Sequence, residues 1–322
     1  MERAVPTQGI GFDRATQAIL LTFAGLAVAA LLVPGWMVYL LTVILARALV
    51  VLGLIVLWRT GLMSFGQALY FGLGAYAVGL SQKFLGLRDA FALVLLGLAA
   101  AVFFAVVLGF LLRQYRDIFF AMLSLAFSMI LYGTLVKSET LGSTDGFAVA
   151  APSFLMWKPT GLAGQYSLLY LTMTVVALAA YAVHRYLASP MGHLTTAIRD
   201  NEIRVEYLGF SVARAIHVKY VLAAGLSGVG GALVALAVGH IDPELTYWTT
   251  SGEFVFVTIL SGSGSVLAPL LGSALFELLR TYATDYAPYS WQMVLGICLL
   301  ALILFLPDGL WSLLGRRRKS AP

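Results

Sequence analysis

PMGHLTTAIRDNEIRVEYLG, residues 190–209, is a polar island in an otherwise apolar chain. It holds Arg199, Asp200, Glu202, Arg204 and Glu206 within eight positions. The 322-residue chain is 61% hydrophobic and 11% charged, with a mean hydropathy of +0.92. Such a chain places charge sparingly, because a charged side chain at the bilayer centre costs roughly 2.5–3.5 kcal/mol on insertion scales. The island therefore lies outside the bilayer. The rest reads as an all-α polytopic membrane protein, since a span needs about 20 apolar residues and lipid demands that backbone polarity be satisfied internally. Long apolar runs, rather than alternating ones, disfavour a barrel.

Working outward, the apolar runs predict spans near 17–33, 37–58, 61–81, 90–112, 117–137, 166–187, 218–239 and 290–306. Residues 252–284 read as two shorter pieces, FVFVTIL and VLAPLLGSALFELL. They are divided by Gly262-Ser263-Gly264-Ser265 and softened by Pro269, residues that disfavour one straight helix. Counting them separately gives about ten transmembrane segments, some discontinuous, five on each side of the 138–165 loop. An odd number per half makes any repeat an inverted one. No self-similarity is visible, so an inverted five-span repeat rests on the count alone.

With ten crossings both termini share a side. The inner segments then carry fourteen Lys and Arg residues and the outer ones four, Lys83, Arg88, Lys137 and Lys158. Arg47 and Arg280 fall within spans. This bias predicts cytoplasmic termini and a cytoplasmic island. The chain divides into an N-terminal cytoplasmic segment (1–16), a transmembrane domain (17–306, including the island) and a basic cytoplasmic tail (307–322). Arg316, Arg317, Arg318 and Lys319 of the tail read as a topology anchor near anionic lipid. The net charge of +5 thus reflects topology and not nucleic-acid affinity. Glu2, Asp13 and the lack of a clear small-residue cleavage site argue against a cleavable signal peptide. The single cysteine, Cys298, permits no disulfide within the chain and reads as packing.

Enzyme motifs are missing. The chain has no GxxxxGK[ST], HExxH or GxSxG, and His184, His193, His217 and His240 lack ligand spacing. No catalytic residue and no metal site is predicted. The GSGS run has no base beside it and reads as a break between half-helices.

GLMSFGQALYFGLGAYAVGL, residues 61–80, supports two readings. Its glycines permit close helix approach, and Ser64, Gln67 and Tyr76 can line a solute path where irregular backbone is tolerated. Arg47 sits mid-span, and Glu277 and Arg280 are spaced to pair on one helix face. Intramembrane charges are functional hypotheses by default. The competing reading is an internal ion pair, with Arg280 snorkelling to the surface. Loop residues 141–147, LGSTDGF, hold good turn chemistry and lie close enough to a span to shape an outer mouth.

In the island, Pro190 and Gly192 mark a helix start and Gly209 an end. Leu194, Ile198, Val205 and Leu208 can form one apolar stripe, which predicts a short helix lying along the membrane face. It serves either as an amphipathic connector or as a docking helix for a soluble partner. Charges of both signs suit a protein groove better than a lipid surface.

These stretches resemble the LivM type of permease from branched-chain amino acid ABC transporters. The likeness rests on SFGQA followed by GAYA in residues 61–80, on AIRDNEIRVEYLG (197–209), and on SGEFVFVTILSGSGSVLAPLLGSALFE (251–277). LGSTDGF resembles that family's TGG-DGL loop, with Ser143 in place of a glycine; Ser263 likewise interrupts its GG-G run. The resemblance implies a permease subunit of an ATP-driven importer in the bacterial inner membrane. Its partners would be two cytoplasmic ATPases, a second permease of the LivH type and a periplasmic substrate-binding protein. ATP and Mg would be bound by the partner ATPases, with no cofactor in this chain. The island becomes a coupling helix, with Ala197, Arg199, Asp200, Asn201, Glu202 and Gly209 carrying the contact. Ser64, Gln67, Tyr76, Arg47 and Glu277 are the solute-path expectations. The solute is a branched-chain amino acid or, in the same type of importer, urea, a short amide or an aromatic acid. The rival classes are an intramembrane lipid-modifying enzyme and a non-transporting receptor or scaffold subunit.

Overall fold

The computed structural model describes residues 14–155, 157–306 and 309–316, and is helical almost throughout. Most of the expected segment 1–16 and the basic end of the tail, residues 317–322, lie outside the described residues. The helices are α1 (Arg14–Ala30), α2 (Gly35–Trp58), α3 (Gln67–Leu85), α4 (Ala90–Leu112), α5 (Asp117–Lys137), α6 (Leu162–Leu187), α7 (Pro190–Asp200), α8 (Glu202–Tyr207), α9 (Val212–Val238), α10 (Trp248–Ser261), α11 (Ala268–Tyr286), α12 (Trp291–Phe305) and α13 (Trp311–Arg316). A two-residue pairing, β1 (Phe147–Ala148) with β2 (His240–Ile241), clasps two loops antiparallel.

Among the described residues, α2, α4, α5, α6 and α9 are long and apolar enough to cross a membrane. Helices α1 and α12 are shorter and apolar, and α3, α10 and α11 fall short of that standard. The expected span 61–81 starts late. Residues 59–66 are not helical, Gly61 has φ +84°, and α3 begins only at Gln67. The expected break within 252–284 is present, α10 ending at Ser261 and α11 starting at Ala268.

The centre is made by α2 and α9, with α3 and α4 against α9. Glycine makes this possible. A Cβ on Gly53 would lie 2.9 Å from the Ala223 backbone, and one on Gly74 or Gly231 would collide with the Gly228 or Phe71 carbonyl. Backbone therefore lies on backbone, the mode that small residues allow in membranes. Several hydroxyls within the helices bond back to carbonyls one turn earlier, as Thr42 does to Val38, Thr172 to Leu168 and Thr258 to Phe254. These side chains are satisfied without water.

The helix ends sort onto two faces. One holds the ends of α2 and α4, the starts of α5 and α9, and α7, joined through Leu57, Leu112, Phe120, Val212 and Ile198 in one apolar cluster, with the end of α6 leading into α7. The α10–α11 break belongs to this face, because Arg59 donates from Nε to the Ser263 carbonyl at 3.1 Å and again from Nη2. The segment between α12 and α13 joins it through a 2.8 Å bond from Leu310 N to Leu260 O. The opposite face carries the β1–β2 clasp and the Asp89 cap. That carboxylate accepts from Phe91 N and Ala92 N at the start of α4 and from Leu155 N. Ser143 adopts φ +51°, and its Oγ bonds the Val136 carbonyl at 3.0 Å, which ties down the serine where the resembling family has glycine.

Candidate functional site

The island is an elbow of two helices and not the single short helix expected over 190–209. Ser189 caps α7, its Oγ accepting from Gly192 N, and Pro190 occupies the first turn. The helix stops at Asn201, whose backbone is extended (φ −161°, ψ 99°). The Asn201 side chain then caps α8, Oδ1 accepting from Arg204 N at 2.9 Å. Asn, with a side chain that competes for backbone donors, is a natural residue for such a joint. Gly209, at φ +87°, closes α8 in a left-handed turn that favours glycine.

One side of the elbow is seated and the other is open. Ile198 and Val205 are buried in the apolar cluster of that face. Glu202 turns inward: Arg116 grips it with two 2.8 Å bonds, Nε to Oε2 and Nη2 to Oε1. Leu208 does not join the buried stripe. It is 71% exposed, next to Ile203 at 66% and Tyr207 at 89%. Ala197, Arg199, Asp200, Asn201 and Gly209 are exposed as well. The arrangement offers apolar side chains flanked by both signs of charge, on a rigidly anchored base.

The expected path residues on α3 and the stretch before it are buried. Ser64 and Gln67 are fully buried where α3, α9 and α10 meet. Gln67 Oε1 accepts from Ser227 Oγ at 2.7 Å, and Ala68 N donates to Ser251 Oγ at 3.0 Å. Tyr76 is also buried, its ring edge-on to Phe147, and its hydroxyl has no partner among the described residues although Asp242 lies within electrostatic reach. Like the Tyr76 hydroxyl, Gln67 Nε2 is buried without a hydrogen-bond partner among the described residues.

Arg47 and Glu277 are brought together, through a third residue that the sequence reading passed over. Arg47 Nη1 lies 3.3 Å from Glu253 and 3.4 Å from Glu277, and Arg280 Nη1 lies 3.2 Å from Glu253. The expected i,i+3 pairing of Glu277 with Arg280 gives way to this cross-helix square, because Glu253 of α10 sits between the two arginines. The guanidinium of Arg280 also stacks over Trp291, 5.6 Å from its centroid. Two positive and two negative groups thus bind α2, α10, α11 and α12 and cancel in charge, which makes burial tolerable. Glu253 stands in an apolar run with no charged neighbour in sequence. Arg116 and Arg59 were legible only as basic span-end residues.

A bundle of long apolar helices with internally cancelled charge and one anchored, open-sided elbow on its end face defines a multi-pass membrane transport component. The chain belongs to the family described as branched-chain amino acid transport system permease component, which matches residues 36–304. Two relatives are each named high-affinity branched-chain amino acid transport system permease protein LivM. The Escherichia coli protein is 27% identical over 286 residues, and the Salmonella typhimurium protein is 27% identical over 292. Each match covers 81% of this chain and 67% of the relative. No solved structure matches. The chain is thus similar to the LivM permeases, and its family is one of transport components.

Proposed function

We propose that this chain is the permease subunit of an ATP-driven importer for branched-chain amino acids, and that the α7–α8 elbow is where a cytoplasmic ATPase pushes and pulls. The observation that carries this reading is the elbow's two-sidedness. It is fixed inward by Glu202–Arg116, Ile198 and Val205, and it presents Ile203, Tyr207 and Leu208 outward among Asp200, Arg204 and Glu206. A chain without a phosphate-binding loop needs ATP and Mg bound in trans. An apolar patch edged with charge is the kind of surface that seats in a protein groove.

In this reading two ATPases, a second LivH-type permease and a periplasmic substrate-binding protein complete the machine in a bacterial inner membrane. The described chain ends lie on the elbow face: Leu310, just ahead of α13, is bonded there, and Thr16 and Arg185 border one cavity between α1 and α6. That supports cytoplasmic termini and about ten crossings. An inverted repeat is supported by α3 and α10, the third long helix of each half, each entered through a segment that is not α-helical. ATP binding alternates the machine between states only because the elbow makes different contacts in each.

The test is uptake of leucine into proteoliposomes holding the whole complex. Tyr207→Ala combined with Ile203→Asp should abolish ATPase retention on purification and uptake together, while membrane insertion is unchanged. Full uptake with that pair of changes would overturn the coupling role.

A further inference from the structure

The segment joining α9 to α10 does not stay at the end of the bundle. After pairing through His240 and Ile241 it turns inward, and the Thr246 carbonyl accepts a 2.7 Å bond from Ser128 Oγ. Ser128 is fully buried near the middle of α5, so Thr246 sits about halfway along that helix. Gly72 of α3 leaves the room that the Thr246 side chain fills. This dip carries Glu244 down with it. Glu244 is exposed and has no ion-pair partner among the described residues. Its carbonyl, held by Thr250 Oγ1 at 2.9 Å, fixes the turn ahead of α10.

The surroundings are aromatic and partly polar. The Tyr132 and Tyr247 rings lie 4.7 Å apart, with Trp248 6.1 Å from Tyr247. Trp248, Thr249 and Thr134 are exposed. The exposed residues of α4 from Phe91 to Leu111 are all apolar, including Leu95, Phe103 and Phe110, and most of those on α5 are apolar too, among them Ile118, Phe119, Met122 and Ile130. That is a surface for hydrocarbon. An unpaired carboxylate at span depth is not, and irregular backbone there is tolerated only inside protein or beside water.

We propose that the dip and the start of α10 border a water-filled solute path, and that Glu244, a few residues ahead of Tyr247 and Trp248, receives the protonated amine of the solute. The carboxylate supplies the countercharge, and the ring faces attract the same cation. This rests on the transport reading above and names the chemistry by which its solute is held.

The test uses the whole complex in proteoliposomes, with Cys298→Ser as background. Glu244→Cys, Thr249→Cys and Phe103→Cys are each treated with a charged thiol reagent. Reaction at 244 and 249 but not at 103 is expected. Leucine should slow the reaction at 249, and 4-methylpentanoate, the same skeleton without the amine, should not. Glu244→Gln should raise the leucine concentration for half-maximal uptake at least tenfold, with ATPase retention unchanged. No reaction at either 244 or 249, or an unchanged half-maximal concentration in Glu244→Gln, would overturn the proposal. If the unaltered complex takes up no amino acid, the transport reading falls and the amine assignment with it, whereas reaction at 244 and 249 independently decides whether this face meets water.

Discussion

Arg116 and Glu202 clamp the α4–α5 turn to the elbow through two parallel 2.8 Å bonds. Arg116 Nη1 also donates to the carbonyls of Arg113 and Tyr115, at 2.6 and 2.9 Å. The guanidinium is therefore held on both sides before it reaches the carboxylate, and the geometry of the pair is set by the turn.

Because this pair is partly exposed, it contributes little to stability, about 1 kcal/mol or less. Its weight lies in position. Glu202→Arg is expected to abolish uptake with a melting temperature close to that of the unaltered protein. Adding Arg116→Glu should restore uptake in part. Leucine uptake in proteoliposomes, measured as a double-mutant cycle, checks this; normal uptake in Glu202→Arg alone would refute it.

The buried charge square behaves differently. Arg47→Met leaves Glu253 and Glu277 facing each other without their shared cation, a loss of about 3–5 kcal/mol. The variant should accumulate poorly and melt early in detergent. Arg47→Met with Glu277→Gln should recover part of the loss, since one stranded charge is gone. Thermal melts of the purified chains decide it, and equal melting of the single and double variants would sink the idea.

Glycine positions separate into two groups. Gly74→Ala and Gly231→Ala put a methyl into a neighbouring carbonyl, whereas Gly25, Gly133 and Gly296 have open space beside them. The first pair should each cost about 1–3 kcal/mol, and alanine at the second group should be neutral or nearly so. Melting temperatures of the five single variants test the division.

The α10–α11 break makes a topological prediction. With Cys298→Ser as background, Ser263→Cys and Tyr207→Cys should react with an impermeant thiol reagent from the same side of the membrane, because Arg59 ties Ser263 to the elbow face. Reaction of Ser263→Cys from the opposite side only would overturn the ten-crossing count.

Several elements were plain in the sequence for physical reasons. Residues 90–112 and 117–137 are uninterrupted apolar runs bounded by charge, and α4 and α5 follow them to the residue. The late start of α3 was hidden because Gly61, Leu62, Met63 and Phe65 are as apolar outside a helix as within one. The elbow's joint had a signal in Asn201 followed by Glu202, a capping residue before an acidic first turn, but a single apolar stripe ran across it. Glu253 and Glu244 were missed for opposite reasons. The partners of Glu253 come from helices distant in sequence, and Glu244 looked like an ordinary loop residue until the loop was seen to descend.

Backbone contact among α2, α3, α4 and α9 also limits how the molecule can work. Helices that touch through glycine have no side-chain ridges left to slide over, so these four travel as one stiff block, more chassis than gearbox. Whatever movement accompanies a transport cycle is then expected at the joints outside it: the dip at 240–247, which leaves α9, and the turn at 262–267 between α10 and α11. A solute gate in this protein is then a matter of two short hinges swinging against a fixed frame.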